Sequence, residues 1–163
     1  MSTLSPRSYA WFEIGMTAQG RVINEAQEEA SRKLVADVVS SAAEQLGVPP
    51  ERVVVGGFSQ GGIMSLSLLL TQPALLKAAM VMHSRLLDKV VPLIVPAAQL
   101  QGKKLWLSHG TDDQMITLAH AHAVRDRVQA LPIELRYEEF PGGHSISGPE
   151  LDGAVDWLGT LAS

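Results

Sequence analysis

Between Asn24 and Leu46 the apolar side chains recur at helical spacing. Leu34, Val38 and Ala42 form one row, with Val35, Val39, Ala43 and Leu46 beside it, and the pattern predicts an amphipathic helix. Gly47 stands where a helix C-terminus takes a left-handed residue, and "VPPER" turns the chain before the branched run Val53 to Val55, which reads as a buried strand. After Ser59, "QGGIMSLSLLLTQ" loses alternation, gains helix formers and stops before Pro73. "KAAMVMHS" and "KKLWLSHG" read as strands, Ile116 to Leu131 as a helix, and "IELRYEE" as an alternating strand. Ser147 and Glu150 have capping-box spacing with Pro149 in the first turn, so a last helix begins there; Leu151, Val155, Leu158 and Leu161 make its apolar side. Strands alternating with helices predict an α/β fold, a mostly parallel sheet covered on both faces to give three layers. "RLLDKVVPLIVPAAQLQG" is apolar but carries two prolines, and reads as a loop or short helical excursion outside the core.

Composition narrows the function classes. A length of 163 residues suits one domain spanning 1–163, and 46% hydrophobic against 18% charged residues argues against disorder. A net charge of −4 argues against a nucleic-acid partner. With no cysteine, neither disulfides nor thiolate-bound zinc can support the fold, which suits a reducing compartment. "MSTLSPRSYAWFEIG" has no apolar core of signal-peptide length, and the other apolar stretches are too short or too broken by proline to span a bilayer. The expectation is a cytoplasmic protein with no membrane span.

Ligands of an open parallel sheet gather beyond the carboxyl ends of its strands. Three segments there carry chemistry: Ser59 within "GGFSQGG", "HGTDDQMI" after "KKLWLS", and "FPGGHSIS" after "IELRYEE". A glycine-x-serine-x-glycine run between strand and helix suits a nucleophile elbow, and the chain order serine, acid, histidine is the one that elbow requires. A nucleotide-binding reading is weaker, because "GGFSQGG" lacks the Walker lysine and the dinucleotide fingerprint. His120 and His122 are two apart on a helix and face different ways, which argues against a metal pair. Trp106, Met80 and Met82 sit in strands and read as core.

"GGFSQGG", "HGTDDQMI" and "FPGGHSIS" resemble the three signature blocks of the phospholipase/carboxylesterase family of α/β-hydrolases, which includes the acyl-protein thioesterases. "YAWFEI" resembles the family segment before the helix that precedes the nucleophile strand, so the likeness runs from about Tyr9 to the C-terminus. The resemblance implies Ser59 as nucleophile and His144 as general base. It selects Asp113 as the acid, four residues after the histidine of "HG", and leaves Asp112 as a solvated turn residue. The backbone N–H of Gln60 would then be one oxyanion donor. Gly57 and Gly61 would let strand and helix approach, and Gly142 and Gly143 would carry His144 over Ser59. His109 is expected to hydrogen-bond backbone and His83 to be a satisfied structural histidine. The implied activity is hydrolysis of a small-molecule ester or thioester through an acyl-enzyme, with no cofactor, and Leu86 to Leu100 are candidates for an acyl-chain wall or lid.

The family usually begins with further strands, one of which ends in a histidine- and glycine-rich loop that completes the oxyanion hole. Nothing before Tyr9 resembles it. The expectation is therefore an N-terminally truncated α/β-hydrolase sheet with half its oxyanion hole and weak activity. Val53 to Val55 would become a sheet edge without a gatekeeper charge, predicting a homo-oligomer through that edge unless "MSTLSPRSYAWF" covers it. The competing reading is a non-catalytic α/β-hydrolase-like binding or oligomerisation module that retains the triad residues.

Overall fold

The computed structural model describes residues 9–18 and 20–161. Four parallel strands form the central sheet in the order β3 (Val54–Phe58), β4 (Ala78–Met82), β5 (Lys103–Gly110) and β6 (Ile133–Phe140). A separate antiparallel hairpin, β1 (Ile14–Thr17) and β2 (Gly20–Ile23), precedes them and has no counterpart in the sequence reading. The helices are α1 (Glu25–Leu46), α2 (Gln60–Thr71), α3 (Leu118–Gln129) and α4 (Gly148–Thr160). None of the described helices is long and apolar enough to cross a membrane.

Strand alternation builds the two faces. Ala79, Val81, Leu105 and Leu107 join one core with Val35 and Ala36 of α1, the buried row of α2, and Val124 and Val128 of α3. Ala78 and Trp106 point the other way and pack with Ala154, Trp157 and Leu161 of α4. The result is the expected three-layer α/β arrangement. Its local signals are in place: Asn24 caps α1 through Gln27 N–H, and Gly47 ends it at φ 62°.

Four expectations need correction. The strand before Ser59 is not Val53–Val55 but Val54–Phe58: the Val53 N–H closes a 3-10 turn on Pro50, and pairing with β4 continues through Gly56 and Gly57. On α1 the inward face is Glu28, Arg32, Val35 and Ala36, while Leu34 and Val38 are more than half exposed. A buried ion pair, Arg32 Nε to Glu28 at 3.3 Å with Lys89 Nζ at 3.2 Å from the same carboxylate, occupies positions that a count of apolar residues passes over. On α4 the inward stripe is Glu150, Ala154, Trp157 and Leu161, and Leu151 and Val155 face outward. Packing decides this face, since a side chain added at Gly153 would meet Trp106 at 2.9 Å. Finally, the segment after β4 forms 3-10 turns at Asp88–Leu93 and Ala97–Leu100, yet Leu87, Val90 and Leu100 are buried in the main core. Its prolines stop a regular helix without keeping its aliphatic residues from burial.

The two sheet edges differ. β6 alternates Glu134, Arg136 and Glu138 along its length, the charged pattern that blunts an edge. β3, "VVGGF", carries no charge and exposes Gly56. Trp11, Leu34, Val38, Val55 and Gly56 line one groove beside it, so Trp11 borders the edge; residues 1–8 of the segment expected to cover it lie outside the described residues.

Candidate active site

Ser59 sits between β3 and α2 with φ 55° and ψ −117°, a backbone conformation that non-glycine residues rarely adopt. Neighbouring elements hold it there. Its N–H donates to the Met82 carbonyl at 3.0 Å, and its carbonyl accepts from Ile63 N–H at 3.1 Å and from Ser84 Oγ at 2.9 Å. Glycine is required around it for space: a Cβ on Gly57 would lie 2.2 Å from the Gly61 backbone, and one on Gly62 would lie 2.6 Å from Ser84 Cβ. A Cβ on Gly61 would meet open space, so Gly61 matters here through the backbone it presents to Gly57.

The three candidate residues converge from three strand ends. Ser59 Oγ lies 2.9 Å from His144 Nε2, and His144 Nδ1 lies 2.7 Å from Asp113 Oδ2. Asp113 is buried, and its other oxygen accepts from the N–H groups of Met115 and Ile116 at 2.8 and 2.9 Å. Burial pushes this carboxyl up, but the hydrogen bonds from His144, Ile116, His83 and Met115 outweigh it and bring its pKa from 3.8 to about 2. An ionised Asp113 can only accept, so His144 Nδ1 carries the proton and Nε2 is free to accept from Ser59. Asp112 is exposed; its side chain bonds only to Thr111 Oγ1, at 3.2 Å, while its backbone N–H donates to the Gly142 carbonyl at 2.9 Å and its carbonyl accepts from Gln114. Gly142, at φ 132°, turns the loop that brings in His144 and packs against Gly110.

Gln60 starts α2, so its N–H lies outside the intrahelical ladder, beside Ser59. Its side chain has a role the sequence reading missed: Oε1 accepts from Trp11 N–H at 3.0 Å and Nε2 donates to the Phe12 carbonyl at 3.1 Å. The segment before the hairpin is thereby tied to the elbow, and Phe12 is buried in the core. A cavity of about 370 Å³ opens at Ser59, walled by Ile14, Ile23, Ile63, Met115 and Ile116, with Gln60, Arg85 and His120 completing it. No residue from Leu86 to Leu100 lines it, so that segment is not its wall or lid.

The remaining histidines separate by their partners. His109 Nε2 lies 2.6 Å from the Ile116 carbonyl, as expected of a backbone-bonded residue, and burial holds its pKa down. His122 Nε2 pairs with Glu139 at 2.8 Å and His120 Nδ1 with Thr117 at 3.0 Å, on different sides of α3. His83, fully buried, bonds two carboxylates, those of Asp113 and Glu150, each at 3.1 Å. His83, His109 and Asp113 lie close enough to hold a metal by distance alone. His109 Nε2, 3.5 Å from Asp113 Oδ2, already faces the Ile116 carbonyl, which demands an N–H there and not a lone pair.

The chain matches the phospholipase/carboxylesterase family over residues 2–162. It is 27% identical to acyl-protein thioesterase 1 of Neurospora crassa over 156 residues, covering 91% of this chain and 63% of that protein. Against carboxylesterase SOBER1 of Arabidopsis thaliana identity is 31% over 159 residues, covering 91% and 66%. The chain thus spans about two thirds of the length of these curated relatives. The crystal structure of SOBER1 superposes with a TM-score of 0.77 at 25% identity, covering 94% of this chain and 74% of that one. A Bacillus cereus carboxylesterase shares the fold at a TM-score of 0.74 and 19% identity, covering 86% and 64%. With the elbow, the parallel sheet and a family match along nearly its whole length, the chain belongs to the phospholipase/carboxylesterase family of α/β-hydrolases.

Proposed function

We propose that this chain is a serine hydrolase of carboxylic esters or thioesters, with Ser59 as nucleophile, His144 as general base and Asp113 as the acid that orients it. Ser59 Oγ attacks the acyl carbon while its proton passes to His144 Nε2, and Asp113 holds the resulting imidazolium. His144 returns that proton to the departing alcohol or thiol as the acyl-enzyme forms. Water then attacks the acyl carbon and gives a proton to His144, which passes it to Ser59 Oγ as the acid leaves. No cofactor enters this sequence. The observation that carries the reading is the unbroken run from Ser59 Oγ through His144 to Asp113, at 2.9 and 2.7 Å, opening into an apolar cavity.

The substrate's acyl portion lies against Ile14, Ile23 and Ile63, which offer an apolar wall to a hydrocarbon chain. Gln60 N–H is the oxyanion donor the elbow itself supplies. With that donor alone, turnover falls about 10²–10³-fold below a site with two. Two copies of the chain associate along β3, whose uncharged edge and neighbouring Leu34 and Val38 favour strand or surface pairing. Hydrolysis of a short-chain p-nitrophenyl ester by the purified chain tests the reading. Release of p-nitrophenol above the Ser59→Ala background is expected; equal rates in the two proteins overturn it.

A further inference from the structure

Behind the Ser59–His144–Asp113 run lies a second imidazole that the hydrolytic steps do not use. His83 leaves β4 at φ 49°, an uncommon backbone for a histidine, with its N–H bonded to the Ser108 carbonyl at 2.9 Å. Its ring is 1% exposed and bridges two equally buried carboxylates. Nδ1 lies 3.1 Å from Asp113 Oδ2, the same oxygen that holds His144, and Nε2 lies 3.1 Å from Glu150 Oε2. Glu150 is fixed in turn, since Oε1 accepts from Ser108 Oγ at 2.6 Å and Oε2 accepts from Ser147 N–H in the α4 capping box. The neutral ring has one donor, and would turn a lone pair on one of the carboxylates; the imidazolium satisfies both. It also supplies the positive charge that two buried carboxylates need.

We propose that His83 is held as an imidazolium between Asp113 and Glu150 and acts as a positioning residue, anchoring Asp113 Oδ2 alongside its bond to His144. The proposal rests on the hydrolase reading for its effect on rate, and on the hydrogen-bond geometry for its charge. Burial works against charge on His83, but its bonds to Glu150 and Asp113 outweigh that and raise its pKa; the partner Glu150 is lowered, its bonds to His83 and Ser108 outweighing burial. The titratable groups around the ring are Asp113, Glu150, His109, stacked at 5.2 Å, and His144, edge-on at 5.8 Å. Burial lowers the His109 pKa in spite of its bond to the Ile116 carbonyl, so the charge is assigned to His83. Two consequences follow for hydrolysis. Asp113 cannot swing away from His144, and the neighbouring cation limits how strongly Asp113 draws a proton toward the His144–Asp113 pair.

The charge is tested on the unsubstituted protein. With ¹⁵N-labelled histidine at pH 8, His83 is expected to show protonated Nδ1 and Nε2 together, while His109 shows one N–H. A neutral His83 tautomer overturns the proposal whatever the activity. The positioning role is tested by Glu150→Gln, which preserves the capping-box side-chain length, and by His83→Asn, which tolerates positive φ. Both are expected to lower kcat about tenfold, leave KM within about twofold, and move the acid limb of kcat/KM upward by about half a pH unit. An unmoved limb and unchanged kcat in both variants, with Ser59-dependent hydrolysis intact, overturn the positioning role and leave the hydrolase reading standing. Loss of hydrolysis from the unsubstituted chain would instead strike that reading, while the ¹⁵N measurement still decides the charge.

Discussion

Asp113 takes four hydrogen bonds on two oxygens, from two imidazoles and two backbone N–H groups, whereas Asp112 beside it faces solvent. Asp113→Asn removes the acceptor that sets the His144 tautomer, and kcat is expected to fall about 10⁴-fold. Asp112→Asn alters a solvent-facing group and is expected to change the rate within about twofold, as fits a surface change of under about 0.5 kcal/mol. Equal losses in the two variants contradict the choice of acid. The same bonds couple stability to pH. With its pKa moved from 3.8 to about 2, Asp113 stabilises the fold fully above about pH 4, and that contribution, about 2 kcal/mol, is lost as pH falls toward 2. His83 has the opposite sign: its raised pKa stabilises the fold below its ordinary value of 6.5, and the contribution is lost as pH rises through the raised value. Chemical denaturation of the unsubstituted protein and of Asp113→Asn from pH 2 to 6 checks the acid side, the stability difference closing as pH approaches 2.

At the level of elements, α4 joins core to site, because Glu150 reaches His83 and Ser108 while Ala154 and Trp157 pack under β5 on the same stripe. Trp157→Ala is expected to cost about 3–5 kcal/mol, and Leu151→Ala and Val155→Ala under about 0.5 kcal/mol each, by urea denaturation. The reverse ranking would restore the helix face read from sequence. The elbow gives a second element-scale test: Gly57→Ala forces β3 away from α2 and is expected to destabilise by about 1–3 kcal/mol while slowing hydrolysis. Much of the architecture was legible in the sequence because local signals agreed with the tertiary outcome: the Gly47 terminus, the Ser147 capping box and the order of strands and helices. The candidate site was legible through Ser59, Asp113 and His144, whose three segments each follow a strand. What escaped were residues whose burial depends on pairing. Glu28 with Arg32, and Glu150 with His83, turn polar side chains inward, and a reading by hydrophobicity rotates both helices toward Leu34 or Leu151 instead. His83 looked structural because its two acidic partners lie 30 and 67 residues away in sequence.

At the scale of the whole molecule, the sheet formed by the described residues has one charged edge, β6, and one uncharged edge, β3, beside the exposed Leu34 and Val38 of α1. If copies pair there, Leu34→Lys combined with Val38→Lys should shift the chain toward monomer without unfolding it, since both side chains are more than half exposed. Light scattering at micromolar concentration checks this, and a monomer before substitution contradicts the pairing. The fold, the elbow and the apolar cavity meet in one claim, that the Ser59 hydroxyl is activated by His144. The most direct measurement is reaction with a fluorophosphonate probe, followed by mass spectrometry of the labelled peptide. The account predicts one adduct, on Ser59, and its loss in both Ser59→Ala and His144→Ala; labelling of Ser59→Ala at an unchanged rate would contradict it.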